Sequence, residues 1–182
     1  MWKSGGDETP CGVGSKVDET GVIRRLITEV IDEYSHIRIV NDAGCGDMNW
    51  MGLVQPLFVE KGIDYLGYDI RRWAENLPLP FEELDIINEV MRPCHLIICR
   101  DVLFHFPNEY VLKALENFRK SGNSLIATTT PPEMGPVDNS KRNILVGDFA
   151  PLDLEAPPFS LDPLFLCTER KWKRAIGFWR LR

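Results

Sequence analysis

Between residues 22 and 34 the apolar positions recur at three- and four-residue steps: Ile23, Leu26, Ile27, Val30, Ile31 and Tyr34. That spacing predicts an amphipathic helix, with Asp18 or Thr20 as its cap. The rhythm then shortens into runs of strand length. Residues 36–40 read as a first strand ending at Asn41 and Asp42, and residues 65–68 as a second closed by Asp69. Residues 84–88 make a short third strand. Residues 95–99 make a fourth, apolar throughout as a strand covered on both faces would be. A fifth spans 124–128, and two more lie near 164–167 and 175–181. Between the first two strands, Pro56 breaks the segment 48–61 into a turn and a short helix. A second amphipathic helix starts at Pro107 and Asn108, turns Val111, Leu112, Leu115 and Phe118 inward, and stops at residues 121–123.

Strands alternating with helices predict an α/β fold, a doubly wound and mostly parallel seven-stranded sheet with right-handed crossovers. Ligands in such sheets bind beyond the carboxyl ends of the strands, where the strand order reverses. The acid-and-glycine stretch 42–47, Asp69, Asp85 and the pair Arg100 and Asp101 all fall at such ends. At 182 residues the chain is read as one domain, 1–182, with a flexible N-terminal flap over 1–16. The segment 131–163 is a long proline-rich loop on the substrate side, of a length that is usually functional or disordered. Asn143, Asp148 and Phe149 could meet a substrate there, or residues 157–159 could simply pack across the sheet edge.

Charge narrows the classes of partner. With 21 basic and 27 acidic residues the net charge is −6, which repels polyanions and argues against nucleic acid. The basic tail TERKWKRAIGFWRLR is the exception, read as a solvated strand pair with charged edges rather than a phosphate patch. No apolar run approaches the roughly 18 residues of a membrane span. The first fifteen residues carry no apolar signal-peptide core, so the expectation is a cytoplasmic protein. Cys11, Cys45, Cys94, Cys99 and Cys167 contain no CxxC pair. Unpaired thiols in a reducing compartment fit them better than disulfides or a metal site.

The stretch IVNDAGCGDMNWM holds the strongest candidate chemistry. Glycines at 44 and 46 permit a tight turn and a close backbone approach. A dinucleotide fingerprint would need glycine or alanine where Asn49 stands, and no GK[ST] phosphate cradle is present. Asp42 and Asp47 would repel a pyrophosphate and suit a cationic ligand. Asp69, 23 residues beyond Gly46, can accept the hydroxyls of an adenosine ribose. Asp85, near the end of the third strand, could meet an adenine amine or be a surface acid.

Taken in order, DAGCGDMNWM, YLGYDI, LIICRDVLFHF and SLIATTT resemble the class I S-adenosylmethionine-dependent methyltransferases, over about residues 14–179. GSKVDET, CGDMNWM, CRDVLFHF and LDLEAPPFSL with IGFWRL are similar, more narrowly, to a compact bacterial and phage group. Its members are suspected of modifying sugars or other small molecules. The resemblance implies a Rossmann-like sheet with an antiparallel C-terminal strand and S-adenosyl-L-methionine as cofactor. By it, Asp42, Gly44 and Gly46 would hold the methionine part and Asp69 the ribose, with Ile70 also among the cofactor-binding residues. Asp85 and Ile86 would border the adenine, Arg100 would line the cofactor, and Trp50 would close over it. Ser15 and Thr20 would belong to the flap. His95 stands where the family often has an acid.

The activity so implied is methyl transfer to oxygen or nitrogen of a small-molecule or glycan acceptor, with no membrane and no metal. Positioning dominates such a displacement, contributing effective molarities of about 10⁵–10⁸ M against 10²–10⁴-fold from a base. Asp101 and His105 leave the fourth strand toward the substrate side and are the candidate bases. His105, flanked by Phe104 and Phe106, fits a hydrogen-bonded structural role as well. A catalytically idle S-adenosylmethionine-binding subunit and a nucleotide-dependent oxidoreductase are the alternatives.

Overall fold

Burial alternates along the central strands and builds two cores, one on each face of the sheet. The computed structural model describes residues 8–181. Its helices are α1 (Gly21–Glu33), α2 (Gln55–Lys61) and α3 (Asn108–Ser121). Its strands are β1 (Ile39–Ala43), β2 (Asp64–Asp69), β3 (Phe81–Glu83), β4 (Leu96–Cys99), β5 (Ser124–Thr129), β6 (Pro163–Glu169) and β7 (Arg174–Arg180). They form one sheet in the order β3-β2-β1-β4-β5-β7-β6. Only β7 runs against its neighbours, β5 on one side and β6 on the other. The doubly wound, mostly parallel sheet with its reversed C-terminal strand is therefore as expected.

Neighbouring residues of β4 point to opposite faces. Leu96 and Ile98 meet Ile23, Leu26, Ile27 and Val30 of α1 and Phe58 of α2. Ile97 and Cys99 meet Val111, Ala114, Leu115 and Phe118 of α3. Leu112, expected inward, is 40% exposed, because Ala114 lies nearer the centre of the buried stripe. Pro56 sits in the first turn of α2, where a missing N–H costs nothing. Gly62, at φ 63°, closes that helix.

Three local expectations shift. The first strand starts later and runs through Asn41 and Asp42, since both find partners inside the sheet. Asn41 donates to the Arg92 carbonyl at 2.8 Å, and Asp42 accepts from the Tyr65 hydroxyl. Residues 84–88 are not a strand: β3 precedes them, and they turn so that Leu84 and Ile86 enter the α3-side core. Thr20 holds the cap position of α1, yet its hydroxyl donates backward to the Val17 carbonyl at 2.8 Å, and Asp18 lies in the preceding 3-10 turn. Neither side chain caps the helix.

Segment 131–163 holds two 3-10 turns, Pro132–Met134 and Asn139–Lys141, and no longer element. It lies where a crossover helix would cover the sheet. Leu152, Leu154, Phe159 and Leu161 are buried against α3. The Asn139 amide ties it together, donating to the carbonyls of Asp153 and Pro157 at 2.7 and 2.9 Å. Among the described residues no helix is long and apolar enough to cross a membrane.

Candidate functional site

The carboxyl ends of β1, β2 and β4 meet at the Gly44–Gly46 turn. The backbone N–H groups of Gly44 and Cys45 both donate to the Tyr68 carbonyl, at 2.7 and 3.0 Å, which folds the turn onto the end of β2. Gly44 (φ 82°) and Gly46 (φ 60°) are left-handed there. A Cβ at Gly44 would run into Val102, and one at Gly46 would come within 2.9 Å of the Cys11 sulfur. In this structure, then, glycine is required at 44 by the β4 loop and at 46 by the N-terminal segment.

Asp42 lies deeper than a turn residue. It is 3% exposed and accepts from the Tyr65 hydroxyl at 2.8 Å. Burial pushes its carboxyl up to about 7; the Tyr65 bond opposes that, the Asp69 charge adds to it, and Arg100 opposes it again. Asp69 accepts from the Gly46 N–H at 3.0 Å and the Ile70 N–H at 2.8 Å, yet burial still raises its pKa. Two acids thus share a partly dehydrated corner with little cationic compensation. Asp47 accepts from the Asn49 N–H at 3.2 Å, within its own turn. Ile70 beside Asp69 is 68% exposed.

Not every expected residue joins this corner. The Asp85 carboxylate turns to its own bend, accepting from the Ile87 N–H at 2.9 Å and the Asn88 amide at 2.7 Å. Ile86 is buried in the α3-side core. Trp50 is only 7% exposed and belongs to the α1-side core, with the Arg100 guanidinium 5.9 Å from its ring. Arg100 donates to the Gly14 carbonyl at 2.8 Å and pairs with Asp101 at 3.1 Å. Its Nε has no hydrogen-bond partner among the described residues.

Asp101 stands at φ 58° just past β4. It accepts from the Thr128 hydroxyl at 2.8 Å and from Arg174 at 2.9 Å, in addition to Arg100. Arg174 also holds Glu169, which is 5% exposed, at 2.6 Å. Two guanidiniums and a hydroxyl therefore occupy this carboxylate. His105 is different. Its Nδ1 faces the Asp148 carbonyl at 2.7 Å, and a carbonyl only accepts, so Nδ1 carries the proton. Burial lowers its pKa, opposed by the Asp148 bond and the Asp101 charge. The His105 ring packs edge-on against Phe104 and Phe149, with ring centroids 4.6 and 6.3 Å away.

Tyr65, Thr128, Glu169 and Arg174 were not expected here. Tyr65 read as an ordinary strand aromatic. Arg174 and Glu169 were hidden in the basic tail, whose expected solvated edge turns inward at these two residues. Two surface clefts lie elsewhere: one between α1 and β6 beside Glu29, Tyr34 and Phe165, the other beside His36, Asn123 and Arg180. Neither contains any residue of this corner.

No protein-family model matches the chain, and no curated protein matches it in sequence. Solved structures do match in shape. PigF with S-adenosylhomocysteine (SAH) superposes with a TM-score of 0.62 at 14% identity, covering 90% of this chain and 56% of PigF. Magnesium protoporphyrin IX methyltransferase from Synechocystis PCC 6803 with bound SAH gives 0.56 at 16%, covering 87% and 81%. The N-terminal domain of EvdMO1, in the presence of SAH and D-fucose, gives 0.59 at 12%, covering 89% and 84%. The chain thus spans little more than half of PigF. These likenesses show the fold: the Rossmann-like sheet of the class I methyltransferases.

Proposed function

We propose that this protein binds S-adenosylmethionine at the Gly44–Gly46 turn and transfers its methyl group to oxygen or nitrogen of a small molecule or glycan. One observation carries the reading: buried Asp42 and half-buried Asp69 converge at the carboxyl ends of β1 and β2, where loss of water raises both carboxyl pKa values. Such a corner suits an ammonium, a sulfonium and a ribose diol, and is hostile to phosphate. That neighbours of the same fold were solved with SAH supports the same cofactor. Once bound, S-adenosylmethionine would supply an electrophilic methyl on sulfur.

In this reading Asp42, Gly44 and Gly46 face the methionine part and Asp69 and Ile70 the ribose, whereas Asp85 is committed to its own bend and Ile86 to the α3-side core. Arg100 and Trp50 act at one remove, Arg100 through the backbone of the N-terminal segment. His105 is the candidate base for the proton of an acceptor hydroxyl or amine, and burial lowers its pKa. Asp101, engaged by Arg100, Arg174 and Thr128, positions Arg100. A sugar acceptor is the first to test, since one neighbour was crystallised in the presence of D-fucose.

Thermal melting with SAH and, separately, NAD tests the cofactor. Ligand at 100 times its dissociation constant adds about 2.7 kcal/mol, or roughly 5–11 °C for a chain of this size. SAH should give that shift and NAD none; the reverse result overturns the reading. Product mass from a sugar and phenol panel then tests transfer. On an accepted substrate, His105→Gln should lower kcat by about 10²–10⁴-fold. Because burial lowers the His105 pKa, wild-type activity should persist to pH values below the ordinary histidine range. An idle binding subunit would show the SAH shift and no product.

A further inference from the structure

The N-terminal segment from Glu8 to Glu19 crosses the carboxyl ends of the strands and lies on the proposed cofactor corner. Cys11 is 9% exposed, and its sulfur accepts from the Asp47 N–H at 3.2 Å. The Gly14 carbonyl accepts from Arg100. Asn49 donates to the Ser15 carbonyl at 3.1 Å and to Glu8 at 3.0 Å. At the far end, the Glu19 carboxylate receives Lys171 and the Trp172 indole N–H, the latter at 3.0 Å. Lys171 and Trp172 lie in the 3-10 turn Arg170–Trp172 between β6 and β7, so Glu19 ties the segment to the opposite half of the sheet.

These attachments share a character. They are hydrogen bonds and one ion pair, spread along a segment built of two 3-10 turns and no α-helix. Val13 is 43% exposed, and of residues 8–19 only Thr9, Cys11 and Gly12 are buried. A segment attached by polar contacts with little buried apolar surface opens locally without unfolding the domain. The Glu19–Lys171 pair is the attachment most open to screening, with the Lys171 side chain 67% exposed.

We infer that residues 8–19 form a latched lid over the cofactor corner, and that the Glu19 contacts with Lys171 and Trp172 are its latch. Entry and exit of the ligand then require the latch to release. The lid itself is read from the chain alone; its link to S-adenosylmethionine rests on the proposed function.

Two measurements keep these apart. The first uses no ligand. Alkylation by iodoacetamide, followed by peptide mass, reads how often Cys11 is uncovered, with buried Cys94 and Cys99 as reporters of global unfolding. Cys11 should label faster than both. Glu19→Ala should raise its rate by about tenfold, the effect of losing a charge-assisted bond discounted for exposure. Lys171→Ala should raise it less, and neither should move Cys94 or Cys99. Moderate salt should accelerate wild-type Cys11 and leave Glu19→Ala unchanged. Cys11 labelling no faster than Cys94, or insensitive to Glu19, overturns the lid. The second is stopped-flow dissociation of SAH, which should quicken by a similar factor in Glu19→Ala. Failure of SAH to bind the wild type would refute the cofactor reading and leave the labelling result standing. Binding with an unchanged dissociation rate would refute the latch.

Discussion

Two pairs of acids, each with one member buried, lie near the carboxyl ends of the strands, and they are built in opposite ways. In the first, Asp42 and Asp69 have backbone N–H groups and one tyrosine hydroxyl as partners, and both pKa values are raised. In the second, Asp101 and Glu169 are held by Arg100 and Arg174, two cations for two anions. The second is closed on itself and fastens β7 to the end of β4. The first has acid in excess of cation, a balance that an arriving cation would complete. Charge balance, more than burial or strand position, separates the corner suited to a ligand from the one that holds the sheet.

The largest test breaks the balanced cluster. Arg174→Ala leaves buried Glu169 and partly exposed Asp101 beside Arg100 alone, and removal of one partner from such a network costs about 3–5 kcal/mol. At roughly 2–4 °C per kcal/mol for this size, the melting temperature should fall by about 6–20 °C. A loss under a degree in thermal melting would mean that the cluster contributes nothing.

A sharper test makes one chemical change in both places. Asp42→Asn removes an uncompensated buried charge, and Glu169→Gln removes a compensated one. At pH 8 the first should stabilise and the second destabilise, each by about 1–3 kcal/mol. The pH dependence follows from the raised Asp42 pKa. In the range from the ordinary aspartate value up to about 7, the folded state binds a proton that the unfolded state has lost. Stability from this group is therefore complete below that range and lost as pH rises through about 7. Denaturant melts from pH 5 to 8 should show the decline in wild type and a flatter profile in Asp42→Asn. Equal signs for the two amide variants would erase the distinction between the clusters.

The comparison also marks what the sequence could reveal. Periodicity was enough for α1, α3 and the central strands, because each buries a continuous stripe or face. It misplaced β3, since Leu84 and Ile86 supply an apolar pattern from a turn, and pattern alone does not distinguish a buried turn from a short strand. Asp42, Asp69 and the glycine turn were legible because acids and glycines at predicted strand ends are conspicuous. The balanced cluster was not. Asp101 and Arg174 lie 73 positions apart and meet only when β7 inserts beside β5. The tail's high charge concealed that two of its residues point inward. The N-terminal segment was read as a flexible flap, and nothing in its composition indicated that Cys11 would rest on the Gly46 turn.

The smallest stability effect belongs to Asp69→Asn, and its smallness is informative. The carboxylate accepts from two backbone N–H groups, of Gly46 and Ile70, one on each oxygen. An amide keeps one acceptor and places a donor against the other N–H, which costs stability. It also removes a charge that burial disfavours, which offsets that cost. The two effects should leave unfolding free energy within about 1 kcal/mol of wild type. Affinity for SAH has no such offset. A charged acceptor at a ribose is worth about 1.5–3 kcal/mol, so calorimetry should show binding weakened by roughly 10- to 150-fold. A variant that folds as well as wild type and binds far worse places the residue's role in the ligand. The opposite pairing, intact affinity with a large loss of stability, would move Asp69 into the structural class with Asp101 and Glu169.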